Sequence, residues 1–214
     1  LDSQIEGVVS TADAIEKAGM TPVGVYTHES RDTAPLVMNE VNGIKVAILA
    51  YSYGFNGIEQ SISQEDYNRY LSDLDEDKMK AEIERAEKEA DITIIMPQMG
   101  VEYQIEPTEE QKKLYHKMID WGADIIFGGH PHVVEPAETV EKDGDKKLII
   151  YSMGNFISNQ RIETMQDVEN AKWTERGVLM DVTIKKKSGK TTIETAQAHP
   201  SWVSRTPKGG YSPE

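Results

Sequence analysis

Apolar residues in the first twenty positions recur at helical spacing. Ile5, Val8, Val9, Ala12 and Ile15 fall on one face, which predicts a helix. Gly19 ends it, because glycine takes the left-handed conformation of a helix cap without a Cβ clash. Residues 22–26 read as a short strand. Residues 36–41 and 44–51 flank Asn42-Gly43, a pair that predicts a tight hairpin because both turn positions need positive φ. Residues 54–72 are polar and irregular, and read as an excursion loop. Met79, Ile83, Ala86 and Ala90 then restore a spacing of three and four, with Glu84 four residues ahead of Lys88; this predicts a charged amphipathic helix. Residues 92–96 form an apolar run of the buried-strand kind. Thr108 to Gln111 reads as a capping box that opens another helix. Its stripe is Leu114, Met118 and Ile119, and Gly122 closes it. Residues 123–127 are again a short buried strand.

From 44 to 127 the order is therefore strand, helix, strand, helix, strand, the pattern of parallel strands joined by crossover helices. Beyond it the pattern changes. Residues 133–140 and 147–152 flank Asp143-Gly144, and 177–184 and 191–196 flank Ser188-Gly189. Both predict antiparallel hairpins. The segment from Lys208 to the end reads as a loop. The whole of 1–214 reads as one α/β domain with a mixed sheet, or two stacked sheets with helices outside.

Composition narrows the function classes. The 214 residues carry 23 Lys and Arg against 37 Asp and Glu, a net charge of −14, and no cysteine. Phosphate backbones call for Lys and Arg, so nucleic acid is not expected as the main partner. Without cysteine there is no thiolate nucleophile, disulfide or Cys-type zinc site. No run approaches the roughly 18 apolar residues of a membrane span. The opening Leu1-Asp2-Ser3, with no Met, reads as a processed or truncated start.

In open α/β sheets, ligands bind beyond the carboxyl ends of the strands. One such end carries Gly128-Gly129-His130-Pro131-His132. Imidazole is a common neutral ligand for zinc, manganese and iron, and two rings on one loop make half a site. In an extended segment this spacing points both rings the same way. His130 and His132 are the expected metal and catalytic positions. The neighbouring strand end reads Pro97-Gln98-Met99-Gly100-Val101-Glu102-Tyr103. Glu102 is a candidate metal ligand or an orienter of a ligand histidine, and Gln98 a hydrogen-bond partner. Tyr151-Ser152-Met153-Gly154-Asn155-Phe156 ends a further strand, with Asn155 either bonding a ligand or shaping the turn. Arg161, Lys172, Arg176, Arg205 and Lys208 are the cations that would meet an anionic ligand. Gln98, Glu102, Tyr103, Asn155 and Arg176 are the expected substrate-binding residues.

The run 128–136 (Gly-Gly-His-Pro-His-Val-Val-Glu-Pro) followed by Tyr-Ser-Met-Gly-Asn-Phe at 151–156 resembles the bacterial capsule synthesis proteins of the CapA type. These are associated with poly-γ-glutamate capsules and are similar to the calcineurin-like metallophosphoesterases. Gly100-Val101-Glu102-Tyr103, Gly122-Ala123-Asp124 and Leu1-Asp2 leading into a helix also fit. The resemblance implies a four-layer α/β/β/α sandwich with a metal cleft at the strand ends. The family's Gly-Asp, Asn-Leu-Glu and Asn-Asn-His motifs precede the segment that matches Leu1 and are not found here. Gln98 stands where the family has a histidine. The chain is therefore expected to be an N-terminally incomplete version of the fold.

The resemblance implies an envelope protein on the outer face of the membrane, anchored by an N-terminal segment of the parent. The expected role is biosynthesis or export of an anionic polymer, poly-γ-glutamate or another, alongside the capsule synthesis machinery. The alternative is an active metal-dependent phosphoesterase in the full-length parent. A divalent metal (Mn, Fe or Zn) is expected, with an incomplete site in this chain. Two neutral rings do not hold a dinuclear centre, so the chain alone is not expected to hydrolyse phosphoesters. An uncovered sheet edge leads to the expectation of homo-oligomers.

Overall fold

The computed structural model describes residues 1, 3–206 and 209–213. Asp2 and Lys208, both used in the sequence reading, lie outside the described residues. The chain forms two compact units, Leu1–Pro97 and Gln98–Glu214. Its helices, with strands of both pairing senses, make it a mixed α/β protein, the class the sequence pattern predicts.

In the first unit, helix α1 (Gln4–Lys17) buries Ala12 and half-buries the other four residues of its predicted face. Strands β1 (Val37–Val41) and β2 (Ile44–Ser52) pair antiparallel from Val37↔Ile48 to Val41↔Ile44. Asn42 and Gly43 have φ of 53° and 76°, as the hairpin requires. Along β2, Ala47, Leu49 and Tyr51 are buried and the residues between them are not, so one face of the strand meets the core. Helix α3 (Glu76–Glu89) starts at Asp75, whose side chain accepts from the amides of Asp77 and Lys78. Met79, Ile83 and Ala86 are fully buried. Strand β3 (Ile92–Gln98) follows.

Two expectations for this unit change. Residues 22–26 make only a bridge, Val25↔Leu71, because Gly24 at φ 82° interrupts the extended run. The expected loop at 54–72 holds helix α2 (Gln64–Tyr70), capped by Ser63, whose side chain accepts from the Asp66 amide. The cap signal was in the sequence, but the apolar periodicity was too short to announce the helix.

In the second unit, helix α4 (Glu109–Trp121) buries Leu114, Tyr115, Met118 and Ile119 and ends at Gly122, φ 122°. Only half of the expected capping box forms. Thr108 Oγ1 accepts from the Gln111 amide, but the Gln111 side chain turns inward instead of returning to Thr108. Strand β4 is shorter than expected (Ile125–Phe127) and pairs parallel with β6 (Asp145–Ile150). Strand β5 (Ala137–Lys142) pairs antiparallel on the other side of β6. Strands β7 (Arg176–Lys187) and β8 (Lys190–Arg205) form a long hairpin, and β9 (Tyr211–Pro213) adds to β8 within the expected terminal loop. Strand β8 runs well past the predicted 191–196, because β7 supplies ladder partners as far as Arg176↔Trp202.

Candidate functional site

The histidine loop leaves β4 through two glycines with different jobs. A Cβ on Gly128 would lie 1.9 Å from the Tyr151 carbonyl oxygen, whereas one on Gly129 would meet nothing. The backbone at Gly128 is clipped on both sides: its amide donates to Ile150 O at 2.8 Å, and its carbonyl accepts from Met153 N at 3.0 Å. The Gly129 carbonyl accepts from Met99 N at 3.0 Å. The loop is thus tied to both neighbouring strand ends before the histidines begin.

The loop is not extended, contrary to the sequence expectation. His130 and His132 both have positive φ, 104° and 61°, a region uncommon outside glycine, though histidine enters it more readily than most residues. The rings still come together, with centroids 6.2 Å apart and planes at 47°. Pro131 between them packs so closely on Gly100 that a Cβ there would come within 2.8 Å of Pro131 Cγ. The Pro131 carbonyl accepts from Tyr103 N at 2.8 Å. Tyr103, itself at φ 65°, stacks its ring on His132, centroids 6.0 Å apart.

His132 Nδ1 lies 3.0 Å from Asn155 Oδ1. Asn155 Nδ2 donates to Thr174 O at 2.9 Å and to Gln160 Oε1 at 3.1 Å, and Gln160 Nε2 donates to Tyr103 Oη at 3.2 Å. Asn155 therefore neither points freely at a ligand nor merely shapes its turn. Burial lowers the His130 pKa, with His132 acting in the same direction and the Glu102 carboxylate opposing. Burial raises the Tyr103 phenol above its usual value, and Glu102 adds to that.

Beneath the loop, Gln111 Nε2 donates to Glu135 Oε2 at 2.8 Å and to Tyr151 O at 3.1 Å. Glu135 is 3% exposed. Its other oxygen, Oε1, has no hydrogen-bond partner. Burial pushes its pKa up to about 7, against the Gln111 hydrogen bond.

Of the expected site residues, His130, His132, Glu102, Tyr103 and Asn155 come together. The Gln98 side chain is exposed, and its backbone bridges Gly129. Arg176 holds Asn155 through its carbonyl, which accepts from Asn155 N at 3.3 Å. Its guanidinium lies over the rings of Trp173 and Trp202, at 4.5 and 5.4 Å. Arg161 is bound to Glu175, Glu163 and the Val203 carbonyl, and Lys172 lies over Trp173. Beside Tyr103, carboxylates line a cavity of about 440 Å³, formed by Glu102, Tyr103, Ile105, Glu106, Glu169 and Asn170 and by neither histidine. Gln160, Gln111 and Glu135 belong to the site and were not singled out in the sequence. Gln111 is masked by its fit to a cap motif, Glu135 stands within the 128–136 run but no spacing marks it out, and Gln160 has no local signal.

Among the described residues, no three His, Asp or Glu side chains gather so as to hold a metal ion. Two imidazoles supply at most two of the four ligands of a tetrahedral site. Among the described residues, the two imidazoles alone do not complete such a site. No helix among the described residues is long and apolar enough to cross a membrane.

Comparison with known proteins bears on this loop directly. The chain is 30% identical to the PGA biosynthesis protein CapA of Bacillus subtilis (strain 168) over 161 residues, 75% of this chain and 40% of that protein. It is 32% identical to the capsule biosynthesis protein CapA of Bacillus anthracis over 163 residues, 74% of this chain and 38% of that one. It thus spans about two fifths of the length of these curated relatives. Similar solved structures include the calcineurin-like phosphoesterase YfkN from Bacillus subtilis, at 17% identity and a TM-score of 0.45 over 78% of this chain and 50% of that one. Another is the sulfate thiohydrolase SoxB of Thermus thermophilus, at 15% identity and a TM-score of 0.44 over 77% and 24% of the two chains. Residues 1–160, which include the whole histidine loop and Asn155, match the family model of the bacterial capsule synthesis protein PGA_cap, and the chain belongs to that family.

Proposed function

We propose that the histidine loop is the working centre of a capsule protein at the outer face of the cell membrane. It serves the biosynthesis or export of an anionic polymer, together with the capsule synthesis machinery. The observation that carries this reading is the imidazole pair itself. Two histidines on either side of Pro131 sit at positive φ, on a loop that hydrogen bonds and packing at Gly128, Gly129 and Pro131 tie to both neighbouring strand ends. Such strain persists at sites where surrounding structure over-determines it.

Glu102 acts on His130, and further carboxylates line the cavity beside Tyr103; both favour a cation. An anionic chain approaching Glu102, Glu106 and Glu169 would be repelled, and Arg161 and Arg176 are engaged elsewhere. A divalent ion such as Mn, Fe or Zn would reverse the local sign. In this reading His130 and His132 would give it two neutral ligands, completed by groups other than the described residues supply.

The full-length protein tests this. Metal content and capsule polymer production are measured for the parent and for a His130→Ala/His132→Ala variant expressed at equal level. Loss of both is the expected result. Unchanged polymer production in the double variant overturns the reading. Metal-dependent hydrolysis of phosphoester substrates by the parent, lost in the variant, would replace it with the phosphoesterase alternative.

A further inference from the structure

We infer that Asn155 is a positioning residue that fixes His132 as the Nδ1–H tautomer and presents a bare Nε2 to the site. The argument needs only donors and acceptors. Thr174 O is a backbone carbonyl and can only accept, so the Asn155 atom 2.9 Å from it is the amide nitrogen. That orients the amide with Oδ1 towards the histidine. Oδ1 can only accept, so His132 Nδ1 at 3.0 Å must carry the proton. The neutral ring then has its lone pair on Nε2. This is the reverse of the tautomer that neutral imidazole side chains prefer in water, so it needs a partner to hold it.

Thr174 O sets the orientation of Asn155, and a further chain of bonds agrees with it. Its second N–H donates to Gln160 Oε1, and Gln160 is itself oriented by donating to Tyr103 Oη. Tyr103 Oη accepts that bond and keeps its own O–H for another acceptor. The same tyrosine stacks on His132, so one residue fixes the plane of the ring and, through two amides, its proton. A neutral His with Nε2 bare is set up to accept a proton or to bind a cation; the opposite tautomer would offer Nε2–H and do neither. The inference does not depend on which polymer or metal is involved, and it stands or falls separately from the proposed function.

The test is long-range ¹H–¹⁵N correlation NMR of the ¹⁵N-labelled chain, at a pH where the imidazoles are neutral. The His132 signals are assigned by their disappearance in His132→Gln. The expected result is a protonated, pyrrole-type Nδ1 and a bare, pyridine-type Nε2 in the unmodified chain. In Asn155→Leu the two nitrogens should exchange types towards Nε2–H, whereas Asn155→Asp should keep the original pattern. Gln160→Leu should give a mixture. His116, whose Nε2 pairs with Glu138 at 2.8 Å, is the control and should not change. A wild-type His132 carrying its proton on Nε2 overturns the inference without any variant. An unchanged tautomer in a folded Asn155→Leu would show that another group holds it.

Discussion

Arg31 in the first unit and Glu135 in the second are both ionisable and both buried, at 4% and 3% exposure. Their surroundings differ in kind. The Arg31 guanidinium bonds Glu82 through two nitrogens, at 2.8 and 3.2 Å, and Asp73 through the third, at 2.6 Å. Those hydrogen bonds outweigh burial and hold its pKa above the ordinary arginine value. Glu135 has one hydrogen bond, from Gln111, and its second oxygen has none. A fully paired buried charge reads as structure. A half-satisfied one beneath a strained histidine loop reads as part of a site.

The comparison can be broken in four ways. The largest effect belongs to Arg31. Arg31→Ala leaves Glu82 and Asp73 facing each other without a cation, and should cost about 3 kcal/mol or more in urea unfolding. A loss within 0.5 kcal/mol, the rough scale of a surface substitution, would show that the cluster is not structural. Next comes the clip on the histidine loop. Gly128→Ala drives a Cβ into the Tyr151 carbonyl and should cost about 3 kcal/mol, while Gly129→Ala, with open space, should cost under about 1 kcal/mol. Equal effects would mean that the loop is not pinned where the contacts put it.

Glu135 gives the third. Its pKa is raised in the fold from 4.5 to about 7. Between those values the folded state binds more protons than the unfolded one, so stability falls as pH rises through this window. The contribution is fully present below the ordinary carboxylate pKa and lost above about pH 7. Glu135→Gln should remove that pH dependence and gain on the order of 2 kcal/mol at alkaline pH. An unchanged pH profile by thermal unfolding would place the charge of Glu135 in a better-solvated setting. The smallest effect is expected at Lys80, paired with Glu84 at 3.1 Å, both half-exposed. Lys80→Ala should change stability by no more than about 0.5 kcal/mol.

Much of the fold is legible in the sequence because it rests on local chemistry. All three two-residue hairpin links, Asn42-Gly43, Asp143-Gly144 and Ser188-Gly189, adopt positive φ at both positions. Helices α1, α3 and α4 follow their apolar spacing, and Gly122 stops α4 where expected. Local rules fail where a neighbour decides. Strand β8 extends because β7 extends beside it. Gln111 fits a cap motif by position, but the fold offers it a buried carboxyl and a carbonyl instead.

The site divides the same way. The pattern Gly-Gly-His-Pro-His at a strand end, with Gly-Asn following another, is enough to single out His130, His132, Glu102, Tyr103 and Asn155. It does not say which atom carries which proton, that the arginines are held by tryptophans and carboxylates, or that Gln160 and Glu135 belong to the site. Those facts rest on pairs separated by tens of residues, such as Tyr103 with Gln160 and Gln111 with Glu135. Spacing along a chain fixes only what neighbouring backbone can enforce. Hydrogen bonds and burial between distant segments exist once the segments are packed, so the protonation and charge of this site were decided by tertiary structure alone.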